Sequence, residues 1–166
     1  MRIETTILRN LILNEEYMRR VLPFLKPDYF TDRVERVLYT EVSAFVEKYN
    51  STPSTEALQI GIGQIANLSS DEVSRAEEYI KSAVVTGDES KIDWLVDETE
   101  KFCQDKAIYN AVRDSISILD GKDKDHDKGM IPQLLSNALA VSFDNSIGHD
   151  YLEDADARYE FYHRTE

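Results

Sequence analysis

An acidic run at residues 123–129 carries the most obvious candidate ligands in this chain, because aspartates alternate there with lysines and a histidine before a glycine. Alternating carboxylates begin calcium loops of the EF-hand type, which also need glycine at the sixth position and a bidentate glutamate at the twelfth. Counted from Asp123, those positions hold Lys128 and Leu134. The pattern favours a solvated turn, with calcium binding as an alternative that a calcium-dependent melting temperature would reveal.

The histidines do not form a metal-binding or catalytic pattern. His126, His149 and His163 are far apart in the sequence and lack the spacing of zinc ligands. Ser146 lies close to His149, but the G-x-S-x-G motif of a hydrolase nucleophile is absent. We therefore predict no metal ligand and no catalytic residue in this chain.

Two glycine-containing segments lack the features of phosphate-binding loops. Gly61 and Gly63 do not continue into a dinucleotide fingerprint, and no strand pattern precedes them. Gly121-Lys122 is followed by Asp123 instead of serine or threonine, and no glycine occupies the required upstream position. A Walker A loop is thus absent from these 166 residues, and no cofactor site is predicted.

The charge balance argues against a surface that grips nucleic acid. The chain has 32 acidic and 19 basic residues, a formal net charge of −13, and its basic residues are dispersed. Neutralising phosphates requires clustered lysine and arginine. The single cysteine excludes an internal disulfide, and no segment has the character of a signal peptide or a membrane span. These features predict a soluble intracellular protein.

Helical periodicity runs through nearly the whole chain and no alternation indicates a strand, so the predicted fold class is all-α. Five helices are expected in a head over residues 1–89, at residues 2–13, 15–22, 33–49, 55–67 and 70–86. Their starts are marked by Asn14, by Ser54 and by the capping boxes Asp32–Glu35 and Ser69–Glu72. Pro23 and Pro27 predict an extended connection. The inner face of the third helix should carry Val34, Leu38, Val42, Phe45 and Tyr49.

A longer helix over residues 90–120 changes its apolar face halfway. Two stripes are separated by about a third of a turn or more. The first half is therefore expected in the head, whereas the second half should pair with a helix over residues 132–143 in a projecting hairpin. Trp94 is either a partner anchor or a cap on the core. The first stripe holds Ile92, Leu95, Val96, Phe102 and Cys103, with Cys103 expected in the core, and the second holds Ile108, Val112, Ile116 and Leu119.

The pattern over residues 144–166 predicts a loop followed by an acidic amphipathic helix. Its apolar face is expected to dock in a groove of another domain or subunit, with folding back on the head as the alternative. We therefore divide the chain into a head (1–89), a hairpin arm (90–143) and a linker segment (144–166). The face of the last helix holds Tyr151, Leu152, Ala155, Tyr159 and Tyr162.

The ordered motifs resemble a known family. Ile7-Leu8 and Leu11-Ile-Leu-Asn14 precede Leu25-Lys-Pro-Asp-Tyr-Phe30, followed by a long helix, a Thr52-Pro53 turn, Ala57-Leu58 and a terminal hairpin. This pattern resembles the N-terminal domain of DnaB-type replicative helicases. More narrowly, Trp94-Leu-Val-Asp-Glu-Thr-Glu-Lys-Phe102, Ala140-Val-Ser-Phe-Asp144 and Ile147-Gly-His-Asp150 resemble the replicative helicase of T-even-type bacteriophages. The resemblance covers essentially the whole chain.

This resemblance implies a role in DNA replication in the cytoplasm of an infected bacterium. Members of the family are hexameric motors that move 5′ to 3′ on single-stranded DNA, with ATP and magnesium bound in a C-terminal domain. The present chain would then be a non-catalytic collar that assembles the hexamer, in some members as a trimer of dimers. The implied partners are other subunits, primase and a helicase loader, with DNA contacted mainly by the motor. The last helix would dock on a neighbouring motor domain.

The hairpin is the predicted assembly site. Its residues are expected to carry both packing and subunit contacts. A stand-alone helical adaptor or helicase loader of the replisome is the alternative function, which a natural stop codon after residue 166 would favour. The predicted interface residues are Ile116, Leu119, Leu134, Leu135, Leu139 and Phe143.

Overall fold

The computed structural model describes residues 2–86 and 91–143. Every regular element in those residues is helical, which confirms the predicted all-α class. Short 3₁₀ turns at Leu22–Phe24, Pro27–Tyr29 and Lys128–Met130 accompany the α-helices. The α-helices, in chain order, are α1 (Ile3–Leu13), α2 (Glu15–Val21), α3 (Arg33–Tyr49), α4 (Thr55–Gly63), α5 (Ser70–Thr86), α6 (Ile92–Leu119) and α7 (Ile131–Leu139).

The chain divides into two compact units, the first extending to Cys103 and the second beginning at Gln104. Helix α6 supplies residues to both units, as the change of apolar face along it suggests. The first unit also contains α1 to α5, and the second contains α7. The predicted division at residues 89 and 143 stays a prediction.

Helix α1 lies at the centre of the first unit, where it packs against α2, α3 and α5. Its apolar residues recur with helical spacing, and Ile7, Leu8 and Leu11 are fully buried. Helix α4 packs against α3 and α5. Each fully buried aliphatic side chain contributes about 1.5–3 kcal/mol relative to an exposed one, so this apolar stripe stabilises the unit substantially.

Side-chain caps begin three of the helices where the sequence predicts them. The Asn14 side chain accepts a hydrogen bond from the Tyr17 N–H at 3.1 Å, and Ser54 accepts one from the Ala57 N–H at 3.0 Å. Ser69 and Glu72 form a complete capping box, in which each side chain accepts from the other residue's N–H, at 3.2 and 3.0 Å. These caps satisfy backbone donors that the first turn of a helix leaves free.

The predicted capping box at the start of α3 is wrong in one half. Asp32 does accept a hydrogen bond from the Glu35 N–H at 3.1 Å. The Glu35 carboxylate, however, is fully buried and accepts two hydrogen bonds from Arg2, at 2.6 and 3.1 Å, and one from the Tyr79 hydroxyl. It thereby joins the start of α1 to α3 and α5 in place of capping its own helix.

The connection between α2 and α3 is more compact than predicted. Pro23 and Pro27 each lie within a 3₁₀ turn, and the extended backbone is confined to short stretches such as Leu25 and Lys26. Proline suits the first turn of a helix because its fixed φ is already helical and its missing N–H would have no partner there. The Tyr39 hydroxyl donates to the Leu25 carbonyl at 2.7 Å and holds the connection against α3.

Tyr29 and Phe30 of the Asp-Tyr-Phe motif anchor this connection in the core, whereas Asp28 is exposed. Tyr29 and Phe30 are 4% and 0% exposed. The Phe30 ring lies 5.5 Å from that of Tyr39 and 5.6 Å from that of Phe102, within the range of favourable aromatic pairs. The motif therefore ties the connection to α3 and to the first part of α6.

Two predicted features of α3 and α4 differ in the structure. Tyr49, expected on the inner face of α3, is 56% exposed, because it is the last residue of the helix before the left-handed Asn50. Helix α4 ends at Gly63, four residues before the predicted end. Glycine is a weak helix former, and Gly61 and Gly63 fall close together in the last turn.

The first part of α6 faces the core as predicted. Leu95, Val96, Phe102 and Cys103 are buried, so the prediction of Cys103 as a core residue is confirmed. The Tyr17 hydroxyl lies 2.6 Å from the Thr99 hydroxyl, which in turn donates to the Leu95 carbonyl at 2.7 Å.

Candidate assembly surface

The second unit begins as a continuation of α6, which ends in a glycine-dependent cap. Gly121 has φ of +77°, a conformation in which a β-carbon would be strained. Its N–H donates to the Ile118 carbonyl at 3.1 Å, and the Lys122 N–H donates to the Ser117 carbonyl at 3.0 Å. This pair of hydrogen bonds is the Schellman motif, so the predicted glycine stop of the long helix is confirmed.

A hydrogen bond between distant residues brings the chain back after α7. The Gln104 side-chain amide donates to the Val141 carbonyl at 3.0 Å, although 37 residues separate them. The segment after α7 therefore returns to the first turn that α6 contributes to this unit. Helix α6, the tip and α7 together form a helical hairpin.

The apolar stripe that the sequence predicts as the packing face of α6 lies largely in solvent. Ile116 and Leu119 are 53% and 58% exposed, and Ile108 and Val112 are also exposed. The covered positions on this part of the helix are instead Asn110, Ala111, Ser115 and Ile118. Ile116 and Leu119 therefore contribute little packing within the described part of the chain, and their subunit contacts stay a prediction.

Helix α7 presents a second exposed apolar position. Leu139 is 71% exposed, whereas Leu134 and Leu135 are half-buried. The helix ends at Leu139, so the predicted end at Phe143 is wrong. Phe143 lies beyond the helix and is buried, at 7% exposure. It serves packing within the chain, and its predicted role in subunit contacts has no exposed surface to support it.

Tyr109 belongs to the same exposed face and was missed by the sequence analysis. Its side chain is 62% exposed, and the Arg113 guanidinium carbon lies 6.0 Å from its ring centroid. The spacing of Tyr109, Val112 and Ile116 is i, i+3, i+7, which is the signal of a shared helix face. We call the exposed set of Ile108, Tyr109, Val112, Ile116 and Leu119 on α6, with Leu139 on α7, the hairpin face.

The predicted linker residues lie outside the described part of the chain. Residues 144–166 are not described, so the assignment of a docking face there stays a prediction. It comprises Tyr151, Leu152, Ala155, Tyr159 and Tyr162.

The acidic tip between α6 and α7 uses its carboxylates to hold turns. Asp123 accepts a hydrogen bond from the Asp125 N–H at 2.9 Å and lies 3.0 Å from the His126 ring, and these interactions, in that order, lower the pKa of Asp123. Asp127 accepts from the Gly129 N–H at 3.0 Å. Among the described residues, no three histidine, cysteine or acidic side chains are grouped to hold a metal ion. In the same residues, no helix has the length and apolarity to span a membrane.

Comparison with known proteins agrees with the motifs. No protein-family model matches the chain. It is 30% identical over 161 residues to a DnaB-like replicative helicase of Enterobacteria phage T4. The chain is similar to a phage replicative helicase. The match covers 92% of this chain but 33% of the helicase, so the chain spans about a third of the length of that relative. The resemblance expected from the sequence motifs is thereby confirmed.

Proposed function

We propose that this chain is the non-catalytic N-terminal collar of a phage replicative 5′–3′ DNA helicase. Nearly all of the chain matches a third of the phage T4 helicase, which leaves two thirds of that relative to carry other functions. The chain itself has no Walker A sequence. On this proposal ATP and magnesium bind in a separate motor domain, and the collar contributes assembly instead of chemistry.

The observation that carries the proposal is the hairpin face. Five of its six residues lie on one part of α6, and Ile116, Leu119 and Leu139 are each more than half exposed. Several large apolar side chains exposed on one part of a helix typically mark a protein–protein contact. We infer that it joins subunits of the hexamer, arranged as a trimer of dimers if each hairpin pairs with one other.

The charge of the chain fits a collar better than a DNA grip. At a formal net charge of −13, the domain repels phosphates at long range and would leave DNA contacts to the motor. Primase and a helicase loader are the further partners we propose. The segment containing Tyr151 and Tyr162 would act as the linker that docks on a neighbouring motor domain.

Assembly can be tested by charged substitutions on the hairpin face. Ile116→Asp and Leu139→Asp replace exposed side chains, so we expect the fold to survive while the hexamer of the full-length protein is lost in native mass spectrometry. Ser136→Asp, at an exposed polar position of α7, is the matched control and should leave the hexamer intact. Unchanged hexamers in both variants would contradict the proposed role of this face.

Sequencing the natural gene past codon 166 separates the collar from the alternative of a stand-alone adaptor or helicase loader. A reading frame that continues into G-x-x-x-x-G-K-[ST] would support the collar, because this motif supplies the phosphate loop of the motor. A stop codon at that point would favour the adaptor.

A further inference from the structure

A groove outside the hairpin runs between α3 and α4 in the first unit. Its wider part is a cavity of about 470 Å³ whose lining includes Phe45, Leu58 and Gly61. Two large apolar side chains stand on its rim, Tyr49 at 56% and Ile60 at 61% exposure. The Tyr49 ring lies 4.6 Å from the Phe45 ring, which fixes one wall of the groove.

A second hollow extends the groove toward the start of α3. It has a volume of about 300 Å³, and its lining includes Arg33, Arg36 and Thr40. Glu41 lines both hollows, so they meet at its side chain. From Arg33 to Tyr49 the wall formed by α3 is about 24 Å long at 1.5 Å per residue, which is the length of a four- to five-turn helix.

The charges along this groove are few and ordered. The Arg33 guanidinium donates to the Asn67 carbonyl at 2.9 Å. The Arg36 guanidinium donates through one nitrogen to the carbonyls of Phe30 and Thr31, at 2.8 and 3.1 Å. These carbonyls are neutral, so they hold the two guanidinium groups in place without cancelling their charge. Arg33 also lies 3.7 Å from the Glu72 carboxylate, which offsets part of its charge.

The opposite charge stands in the middle of the groove. No ion pair to Glu41 occurs within residues 2–86 and 91–143. Its carboxylate lies so close to α4 that a β-carbon at Gly61 would come within 2.6 Å of Oε1. Lys48, at the far end, places its Nζ 5.4 Å from the centre of the Tyr49 ring. The sequence of charges along the groove is positive, negative, positive.

We propose that the α3–α4 groove binds an amphipathic helix of a partner protein. The apolar face of that helix covers Tyr49 and Ile60, while a basic side chain pairs with Glu41 and an acidic one with Lys48. Glu41 and Lys48 are seven residues apart, about two turns of α3, so their partners should also lie about seven residues apart on one face of the ligand helix. Amphipathic helices bind hydrophobic grooves through anchor side chains on one face, at positions such as i, i+3, i+4 and i+7.

Charge and shape favour a protein helix over the other occupants. Glu41 at the middle of the groove opposes a nucleic-acid phosphate chain, whereas a helix with one basic and one acidic side chain matches the charges of Glu41 and Lys48. The groove is independent of the hairpin face, so the inference goes beyond the proposed assembly function and stands even if that function is wrong.

A peptide titration tests the groove directly. The probe is a synthetic 18-residue amphipathic helix with a basic and an acidic residue seven positions apart beside its apolar face. It is titrated into the ¹⁵N-labelled 166-residue chain. We expect amide shift changes concentrated in α3 and α4. A control peptide with the same apolar face but every charge reversed in sign should bind at least about tenfold more weakly.

Variants of the chain locate the contact. Ile60→Asp should weaken binding of the peptide at least tenfold, whereas Ser74→Asp, at an exposed position of α5, should not change it. Both positions are exposed, and circular dichroism verifies the fold. Equal binding of the two peptides, or no shift changes in α3 and α4, would overturn the proposal. It is also overturned if a single-stranded oligonucleotide, or concentrating the chain alone, perturbs the groove more strongly than the peptide.

Discussion

The Arg2 guanidinium and the buried Glu35 carboxylate form a two-point hydrogen-bonded ion pair, with Nη1–Oε2 and Nη2–Oε1 distances of 2.6 and 3.1 Å. The Arg2 side chain is 55% exposed and the Glu35 side chain is fully buried. The hydrogen bond to Glu35 raises the pKa of Arg2 despite the opposing effect of burial. A carboxylate without solvent needs such partners, since an unpaired buried charge is costly. The pair therefore fixes the N-terminal end of α1 onto α3.

Removing Arg2 should destabilise the first unit. We expect Arg2→Ala to lower the free energy of unfolding by about 1–3 kcal/mol, because Glu35 keeps the Tyr79 hydroxyl but loses its cation. Glu35→Gln in the same background should cost less than it does alone, with a coupling energy above about 0.5 kcal/mol. Urea unfolding followed by circular dichroism measures all four proteins, and strictly additive effects would contradict the pairing.

The N-cap of α3 should show a characteristic pH dependence. Burial opposes ionisation of Asp32, but the hydrogen bond from the Glu35 N–H and the contact with Arg75 outweigh it, so the pKa of Asp32 is lowered. A lowered pKa means that the stabilisation is present above the ordinary value of 3.8 and is lost as the pH falls through the folded-state pKa. Asp32→Ala should therefore cost about 1 kcal/mol at neutral pH and progressively less in acid.

Asp32→Asn is the matched control for this pH effect. It retains the capping oxygen but removes the charge that faces Arg75, so its cost at neutral pH should be smaller than that of Asp32→Ala. The difference in unfolding free energy between Asp32→Asn and the parent should also approach zero in acid. Thermal unfolding at several pH values checks both variants, and a pH-independent cost for Asp32→Ala would contradict the assigned pKa shift.

Glu35 shows why local motifs predicted the helices better than their partners. The D-x-x-E pattern correctly located the start of α3, because the Asp32 cap involves residues three apart. The partners of the Glu35 side chain, Arg2 and Tyr79, lie 33 and 44 residues away. Nothing in the local sequence indicates which distant groups the fold brings to a carboxylate. The sequence pattern therefore predicted that the Glu35 side chain caps its own helix, whereas this carboxylate is buried and binds Arg2 and Tyr79.

The hairpin illustrates a second limit of sequence reasoning. Helical spacing identified Ile116 and Leu119 as members of one apolar face, and that grouping is confirmed by their shared exposure. The face covered within the chain instead includes Ala111 and Ser115, whose small side chains give a weak hydrophobic signal. Periodicity shows which residues share a face, but an apolar face can be turned toward another subunit as readily as toward the core.

Two glycines should respond to alanine with opposite signs. Gly121 has φ of +77°, and we expect Gly121→Ala to destabilise the chain by about 1–2 kcal/mol, because the left-handed conformation strains a β-carbon. Gly63 is a helical residue with open space around the position of a β-carbon. Gly63→Ala should stabilise by about 0.4–1 kcal/mol through the entropy of the unfolded chain. Melting temperatures compare the two variants. A higher melting temperature for Gly121→Ala would contradict the cap assignment, and a lower one for Gly63→Ala would contradict the open space at that position.

The thiol of Cys103 should be protected in the folded protein. It is fully buried, and burial followed by the neighbouring charge of Glu100 raises its pKa to about 12. Because the thiolate is the reactive form, labelling by a disulfide reagent at pH 8 should be slow in buffer and fast in denaturing urea. Absorbance of the released thiol follows the reaction. Rapid labelling of the native protein would show that this part of α6 opens readily.

Two isoleucines of α6 in the second unit, Ile116 and Ile118, distinguish the side of the helix that faces its own chain. Ile118 is 5% exposed and Ile116 is 53% exposed. Ile118→Ala should therefore lower the free energy of unfolding by about 2–4 kcal/mol, whereas Ile116→Ala should change it by about 0.5 kcal/mol or less. Unfolding at two protein concentrations separates a contribution from association, which would appear only in the concentration-dependent part. If Ile116→Ala were the more destabilising variant at both concentrations, the exposed stripe would be an internal packing face and the hairpin would lose its assembly surface.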